Sequence, residues 1–309
     1  MNTFREALYE DHGQTLAIGE VLYRGRTEHQ DAFVFTNPTF GKVLTLDGVV
    51  QLTGRDNHIY HEMIVHVPLT AHGAARDVLI IGGGDGGTLR EVLKHPVAGA
   101  CLVELDPQVV ELSRRFFPEV SNGAFDDPRA AIVFGDGAAF VARTDKRFDV
   151  IIVDSTDPIG PGEVLFSDRF YADCRRLLRP RGLIAVQSGA PFYRAAQLQR
   201  MLARLQACFG AARAYLAPVP TYAHGLLALM IAGPRDNFAP ARPVLRRRFA
   251  KVSAATRYYT PEVHRAAFVM GPRFEEEARE SVAGAAGPVT APAAAQHSEP
   301  AAPAPGTAR

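Results

Sequence analysis

Tryptophan is missing from the chain altogether, and cysteine is scarce. Cys101, Cys174 and Cys208 stand alone in apolar or helical patterns, without the spacing of a zinc site or a disulfide framework. Charge of one sign is lacking too: 34 Lys and Arg against 33 Asp and Glu leave a net charge of +1. That balance gives no sign of a nucleic-acid or anionic-membrane surface. The one basic run, Arg246–Arg248, reads as a solvated helix face. No apolar run approaches the ~18 residues of a membrane span. The opening Met-Asn-Thr-Phe-Arg-Glu has no apolar stretch of the kind a signal peptide needs. The expectation is a reduced, cytoplasmic, metal-free protein with no nucleic-acid or membrane partner.

What is present is enough apolar content, 47%, for a substantial core, on 309 residues that suit one large domain or two modest ones. Residues 1–67 are predicted as a small antiparallel β domain with a linking helix. Its strand-like runs are Leu16–Tyr23, Ala32–Thr36, Lys42–Leu46 and Val49–Leu52, with Asp47-Gly48 as a two-residue type I′ turn. The spacing Ile59, Met63, Ile64, Val67 predicts a helix from Asn57, ended by Pro68. Residues 68–275 alternate buried strands (Val78–Ile81, Cys101–Val103, Ala131–Phe134, Val150–Val153, Leu183–Val186) with amphipathic helices such as Gln108–Phe117, Phe170–Leu178 and Ala195–Cys208. Such alternation implies an α/β fold with a parallel, Rossmann-like sheet. Ala211–Ala217 and Leu226–Ile231 are too close for a crossover helix, so they are predicted as a terminal antiparallel hairpin. Five parallel strands followed by that hairpin are the pattern of the methyltransferase sheet. A dinucleotide dehydrogenase would continue with further βαβ units. Helical signals resume at Arg242–Phe249 and Glu262–Phe268. The Ala/Pro-rich residues 276–309 carry too little apolar surface to offset chain entropy and are predicted to be disordered.

Four strand ends carry the chemistry. Gly82-x-Gly84-x-x-Gly87 follows a strand and precedes a helix, and Glu104 ends the next strand, where a carboxylate can hold a ribose diol. A plain tight turn is the bland alternative. Asp85 lies inside that glycine loop, where a pyrophosphate would meet it. Like charges at ~4 Å and an effective dielectric of ~20 repel by roughly 4 kcal/mol. Asp85 therefore argues against a dinucleotide and for a ligand that is cationic at this point. Gly135-Asp136-Gly137 follows the third strand, where Asp136 could accept from an adenine amino group or merely cap a helix. Asp154-Ser-Thr-Asp157-Pro158 follows the fourth, and a simple Asp-Pro turn is its alternative. If these strands are neighbours, Asp85, Asp154 and Asp157 converge on one pocket suited to a cation, at the carboxyl edge where such sheets bind ligands. Tyr60-His61 and Pro220-Thr-Tyr222 are open between structural and functional roles.

Taken together, these residues resemble the spermidine synthase family, the polyamine aminopropyltransferases, and within it the bacterial putrescine-using branch. The stretches that carry the resemblance are His29-Gln-Asp31, Leu46-Asp-Gly-Val-Val-Gln51, Ile59-Tyr-His-Glu-Met63, Val78–Gly87, Val103-Glu-Leu-Asp106, Asp154–Pro161 and Pro220-Thr-Tyr222. The resemblance implies transfer of an aminopropyl group from decarboxylated S-adenosylmethionine to putrescine, giving spermidine and methylthioadenosine. It implies no cofactor, the donor being a co-substrate, and a homodimer or homotetramer. Carried over, Gln30, Glu104, Asp136, Gly137 and Pro161 would hold the nucleoside, and Asp85 the aminopropyl ammonium. His61, Asp154 and Asp157 would line the amine channel with Tyr60, Gln51 and Tyr222 beside them, and Asp154 would be the base. Departures are Phe4 near the N-terminus where the family often has tryptophan, Gln187-Ser-Gly189 without the acid some members carry, and His224 after Pro-Thr-Tyr. Two other readings stand beside this one: a polyamine N-methyltransferase using S-adenosylmethionine, and a non-catalytic polyamine-binding protein.

Overall fold

The continuous apolar runs of the chain form the centre of a seven-stranded sheet, and the alternating runs before them form a smaller antiparallel one. The computed structural model describes residues 2–271 apart from 7, 10, 11, 156–159, 223, 224, 253 and 254. The tail expected from 276 onward lies outside the described residues.

The first strands are β1 (Thr3–Arg5) and β2 (Thr15–Ala17), an antiparallel pair. Then come β3 (Val21–Arg26), β4 (Asp31–Asn37), β5 (Gly41–Leu46) and β6 (Val49–Thr53), a meander in sequential order. The single strand expected over Leu16–Tyr23 is thus two strands in different sheets. Gly19 makes the break: its N–H donates to the Thr36 carbonyl at 2.7 Å, and a Cβ there would lie 2.6 Å from Thr36 Oγ1. β1 was not expected, because three residues with an exposed–intermediate–exposed pattern leave no periodicity to read. The Asp47-Gly48 turn has the two positive φ angles, 47° and 74°, that type I′ requires.

Helix α1 (Asn57–His72) follows and runs past the expected stop at Pro68. Proline inside a helix costs about 3 kcal/mol. Here 14 of the 16 residues are buried, and that burial outweighs the lost hydrogen bond. The Tyr215 hydroxyl donates to the Met63 carbonyl within the same stretch.

Next come β7 (Asp77–Gly82), α2 (Gly87–Leu93), β8 (Gly99–Glu104), α3 (Pro107–Phe116), α4 (Pro118–Ser121), β9 (Ala130–Phe134), α5 (Gly137–Arg143), β10 (Phe148–Asp154), α6 (Asp168–Leu177), β11 (Leu178–Gly189), α7 (Ala195–Phe209), β12 (Ala211–Ala217), β13 (Leu227–Gly233), α8 (Arg242–Phe249) and α9 (Pro261–Ala266). The large sheet has the order β12-β13-β11-β10-β7-β8-β9. Its β7–β11 pairings are parallel, and β13 pairs antiparallel with both β11 and β12, as the spacing predicted.

Side-chain alternation divides the core. Val78, Ile80, Val150 and Ile152 face α1 and α2, while Leu79, Ile81, Ile151 and Val153 face α6 and α7. Both faces are covered, which is why these strands read as unbroken apolar runs. The small sheet shares a third core with the large domain: Ala32, Val34, Leu44, Leu46 and Leu52 pack on Val109, Leu112, Phe117 and Val120.

Candidate active site

β7 and β10 are hydrogen-bonded neighbours, with Asp154 in register with Gly82. The glycine loop and the Asp154 segment therefore leave the sheet side by side, where the strand order reverses direction and ligands bind in sheets of this kind. α1 crosses behind them and brings Tyr60 and His61 to the same place.

Asp154 is gripped from two sides. Its Oδ1 accepts from the Tyr60 hydroxyl at 2.5 Å and its Oδ2 from the Thr88 hydroxyl at 2.6 Å. Burial, and after it the nearby Asp85 charge, push its carboxyl above the usual aspartate range; His61 and the two hydroxyls pull the other way. Burial and the Asp154 charge hold the Tyr60 phenol well above its ordinary value, so it stays a neutral O–H donor.

Asp85 accepts from the Gly87 N–H at 2.7 Å through Oδ1, and its Oδ2 lies 3.0 Å from His61 Nε2. Burial opposes both charges, yet each sustains the other: His61 is raised and Asp85 lowered from its usual value. The expected carboxylate is thus already paired with an imidazole. A Cβ on Gly87 would stand 2.2–2.6 Å from the His61 ring, so only glycine lets α2 start this close to α1.

Beside this cluster, Glu104 ends β8. Burial drives its carboxyl up to about 7, although Oε1 accepts from the Asp106 N–H at 2.9 Å. The glycine loop touches it: a Cβ on Gly84 would lie 2.9 Å from Glu104 Oε2. Gln30 joins from the small sheet, donating through Nε2 to Asp106 Oδ2 at 3.2 Å. Asp136 follows Gly135, whose N–H donates to the Glu104 carbonyl at 2.8 Å. Its Oδ1 caps α5 by accepting from Ala139 N–H at 2.9 Å, and its second oxygen remains at the exposed rim next to Gly137.

Tyr222 closes the opposite side. Its ring meets that of Tyr60 edge-on at 5.6 Å, and its hydroxyl donates to the Gln51 carbonyl at 2.9 Å. Asp157 lies outside the described residues, as do Pro158 and Ile159. Pro161 sits in a 3₁₀ turn over Gly160–Phe166, its side chain outside the described residues.

Three residues that sequence reading passed over complete the arrangement. Thr88 holds Asp154. Asp106 links Gln30 to Glu104 and caps α3; the Asp-Pro pair at a helix start was a legible sign of that cap. Glu62 accepts from the N–H groups of Arg257, Tyr258 and Tyr259 at 2.7–2.8 Å and so anchors α1 at the turn bearing Tyr60 and His61.

The arrangement can bind a nucleoside at Glu104 and a cation between Asp85 and Asp154, and Asp154 can receive a proton. The spermine/spermidine synthase domain matches residues 57–240, and the spermidine synthase tetramerisation domain matches residues 3–54. The chain is 52% identical over 270 residues to a polyamine aminopropyltransferase of Ruegeria sp. (strain TM1040), covering 86% of this chain and 94% of the relative. It is 48% identical over 272 residues to polyamine aminopropyltransferase 1 of Pseudomonas aeruginosa, covering 87% and 95%. Among solved structures, a spermidine synthase in complex with the transition-state analogue AdoDATO superposes with a TM-score of 0.84 at 37% identity, covering 90% of this chain and 95% of the other. The spermidine synthase of Thermotoga maritima gives 0.80 at 36%, covering 90% and 94%.

Proposed function

The chain belongs to the spermine/spermidine synthase family and is a polyamine aminopropyltransferase, and from that premise we propose that it moves the aminopropyl group of decarboxylated S-adenosylmethionine onto putrescine. The products are spermidine and methylthioadenosine. The observation that carries the reading is the Asp154 carboxylate, buried and oriented by Tyr60 and Thr88, with the His61–Asp85 pair on one side and Glu104 on the other.

Glu104 holds the ribose diol, Asp136 and Gly137 the adenine, with Gln30 and Pro161 completing the nucleoside subsite. Asp85 faces the aminopropyl ammonium. Its pairing with His61 leaves less than a full free charge there. Asp154, Asp157, His61, Tyr60, Gln51 and Tyr222 line the acceptor subsite.

The amine nitrogen attacks the aminopropyl carbon, and the carbon–sulfur bond breaks with its electron pair going to sulfur, which becomes a neutral thioether. The sulfonium itself activates the carbon, so the reaction calls on no metal or cofactor. A primary amine titrates near 10.4 in water. The bound sulfonium disfavours a second cation beside it and lowers that value. Burial raises Asp154 from below, so the two pKa values approach each other and proton transfer to Asp154 as the C–N bond forms costs less. Fixing both reactants supplies several kcal/mol more. The match to a tetramerisation domain supports a homodimer or homotetramer built through the small sheet. The reading carries a cytoplasmic enzyme with it; among the described residues no helix is long and apolar enough to cross a membrane.

The test is mass-spectrometric detection of methylthioadenosine after incubation with the decarboxylated donor and a panel of amines. Putrescine should far exceed butylamine, because a monoamine leaves a buried acid unpaired. Equal turnover of the two overturns the diamine assignment. S-adenosylhomocysteine formed from intact S-adenosylmethionine would indicate the methyltransferase, and no product from any amine a binding protein.

A further inference from the structure

Four polar side chains away from the reacting centre close a hydrogen-bonded circuit around the loop that carries Tyr222. Glu6 and Gln14 stand at the base of the β1–β2 hairpin, where the Glu6 N–H donates to the Gln14 carbonyl at 2.9 Å. Glu6 Oε1 accepts from the Val50 N–H at 2.7 Å, and Oε2 from Gln14 Nε2 at 2.6 Å. The same Gln14 amide donates to the Thr221 carbonyl at 2.7 Å. Thr221 in turn donates its N–H at 2.8 Å and its hydroxyl at 2.5 Å to Asp56 Oδ2. The Thr53 hydroxyl donates to Asp56 Oδ1 at 2.5 Å. Val50 precedes Gln51 and Thr221 precedes Tyr222, and the bond from Tyr222 to the Gln51 carbonyl closes the circuit.

Glu6, Asp56 and Thr221 are 2%, 6% and 1% exposed. Burying two carboxylates is costly unless each lone pair finds a donor. Apolar residues of the same volume would hold three segments together as well or better. What apolar packing lacks is direction. Each carboxylate here seizes the backbone next to one residue of the Gln51–Tyr222 wall, and that wall abuts Tyr60, which holds Asp154.

We propose that Glu6, Gln14, Asp56 and Thr221 are positioning residues that set the distance between the Gln51–Tyr222 wall and Asp154, and through it the length of diamine the enzyme prefers. The inference rests on the diamine reading above. A wall displaced by about the step of one methylene would trade one acceptor for the next in the series. The N-terminal hairpin is thereby a working part of the acceptor subsite, although none of its own side chains reaches Asp154 among the described contacts.

The experiment compares wild type, Thr221→Val, Thr221→Ser and Gln14→Ala by calorimetric binding of diamines with three to five methylenes to the enzyme saturated with methylthioadenosine, alongside turnover. Thr221→Val removes the hydroxyl and keeps shape and backbone bond. It should weaken putrescine binding by ~10-fold and compress the preference between adjacent diamines, the scale of one buried hydrogen bond to a charged group. Affinity for methylthioadenosine should stay within about 2-fold, because Glu104 is untouched, and Thr221→Ser should restore the wild-type preference. Gln14→Ala should do the same as Thr221→Val, and decides the matter if Thr221→Val does not fold. Folded variants with wild-type diamine affinity and length preference overturn the proposal. So does a parallel loss of nucleoside affinity, which marks a merely structural role. A wild type that binds diamines without transferring the aminopropyl group overturns the functional reading alone; one that binds no diamine overturns both.

Discussion

Asp154 and Glu104 are both buried carboxyls, and their neighbours give them different behaviour. Replacing Asp154 with Asn should leave the circular-dichroism spectrum intact and cut turnover by ~100-fold or more, the scale of a positioned base. Thr88 offers a finer probe, since its hydroxyl favours the ionised form of Asp154. Thr88→Val should therefore raise the Asp154 pKa and move the acid limb of the kcat/KM profile to higher pH; an unmoved limb would mean that Asp154 does not govern it. Glu104 titrates at about 7 in the folded chain against 4.5 for the ordinary group. The folded state thus holds the proton more tightly, so this contribution to stability is complete below about pH 4.5 and is lost as pH rises through 7. At pH 8 the ionised carboxylate costs on the order of 3 kcal/mol, at 1.36 kcal/mol per pH unit. Glu104→Gln should accordingly melt several degrees higher than wild type at pH 8, gain nothing near pH 4.5, and bind methylthioadenosine poorly at both. An equal gain at both pH values would show that ionisation is not its source.

At the scale of elements, the strand–loop–helix unit β7–α2 and helix α1 are fitted to each other at Gly87. A methyl group there meets the His61 ring, which is itself 1% exposed and cannot retreat. Gly87→Ala should lower stability by about 1–3 kcal/mol, the usual cost of overpacking, and disturb the His61–Asp85 pair. Thermal melting together with the histidine proton resonances would check both effects; an unshifted His61 signal would refute the contact. The same elements show why some of the molecule is legible in the sequence and some is not. Strands such as Val78–Ile81 and Val150–Val153 are legible because both their faces are buried, which forces an unbroken apolar run. That Glu104, Asp85 and Asp154 gather at one edge is legible because each stands at the carboxyl end of a strand, or in the loop just after it, in one parallel sheet. β1 is not, being three residues long, and the end of α1 escapes local rules because the chemistry of Pro68 loses to burial of the whole helix. Thr88 and the tie of Asp106 to Gln30 stay hidden because each depends on a partner distant in sequence, Asp154 in the first case and Gln30 in the second.

In the molecule as a whole, the two sheets are not independent bodies. Leu44, Leu46 and Leu52 of the small sheet are completed by Val109, Leu112, Phe117 and Val120 of the large domain, and Lys42 pairs with Glu119 at 3.0 Å across the same seam. Calorimetric unfolding should show one cooperative transition, with the small sheet's amide hydrogens exchanging in step with those of β7 and β10. Two separated transitions would contradict the shared core. The seam also has a temporal side. The strands ending at Thr53 leave the ribosome well before Val109–Val120, the residues that cover their apolar face. At ~5–20 residues per second, the intervening stretch of about 70 residues takes roughly 3–14 s to synthesise. For that interval every nascent copy carries an unfinished sheet whose wet face is the inner wall of the mature core. The growing chain therefore needs shelter while it is being made, and crowding on one messenger should harm its yield more than any property of the finished enzyme suggests.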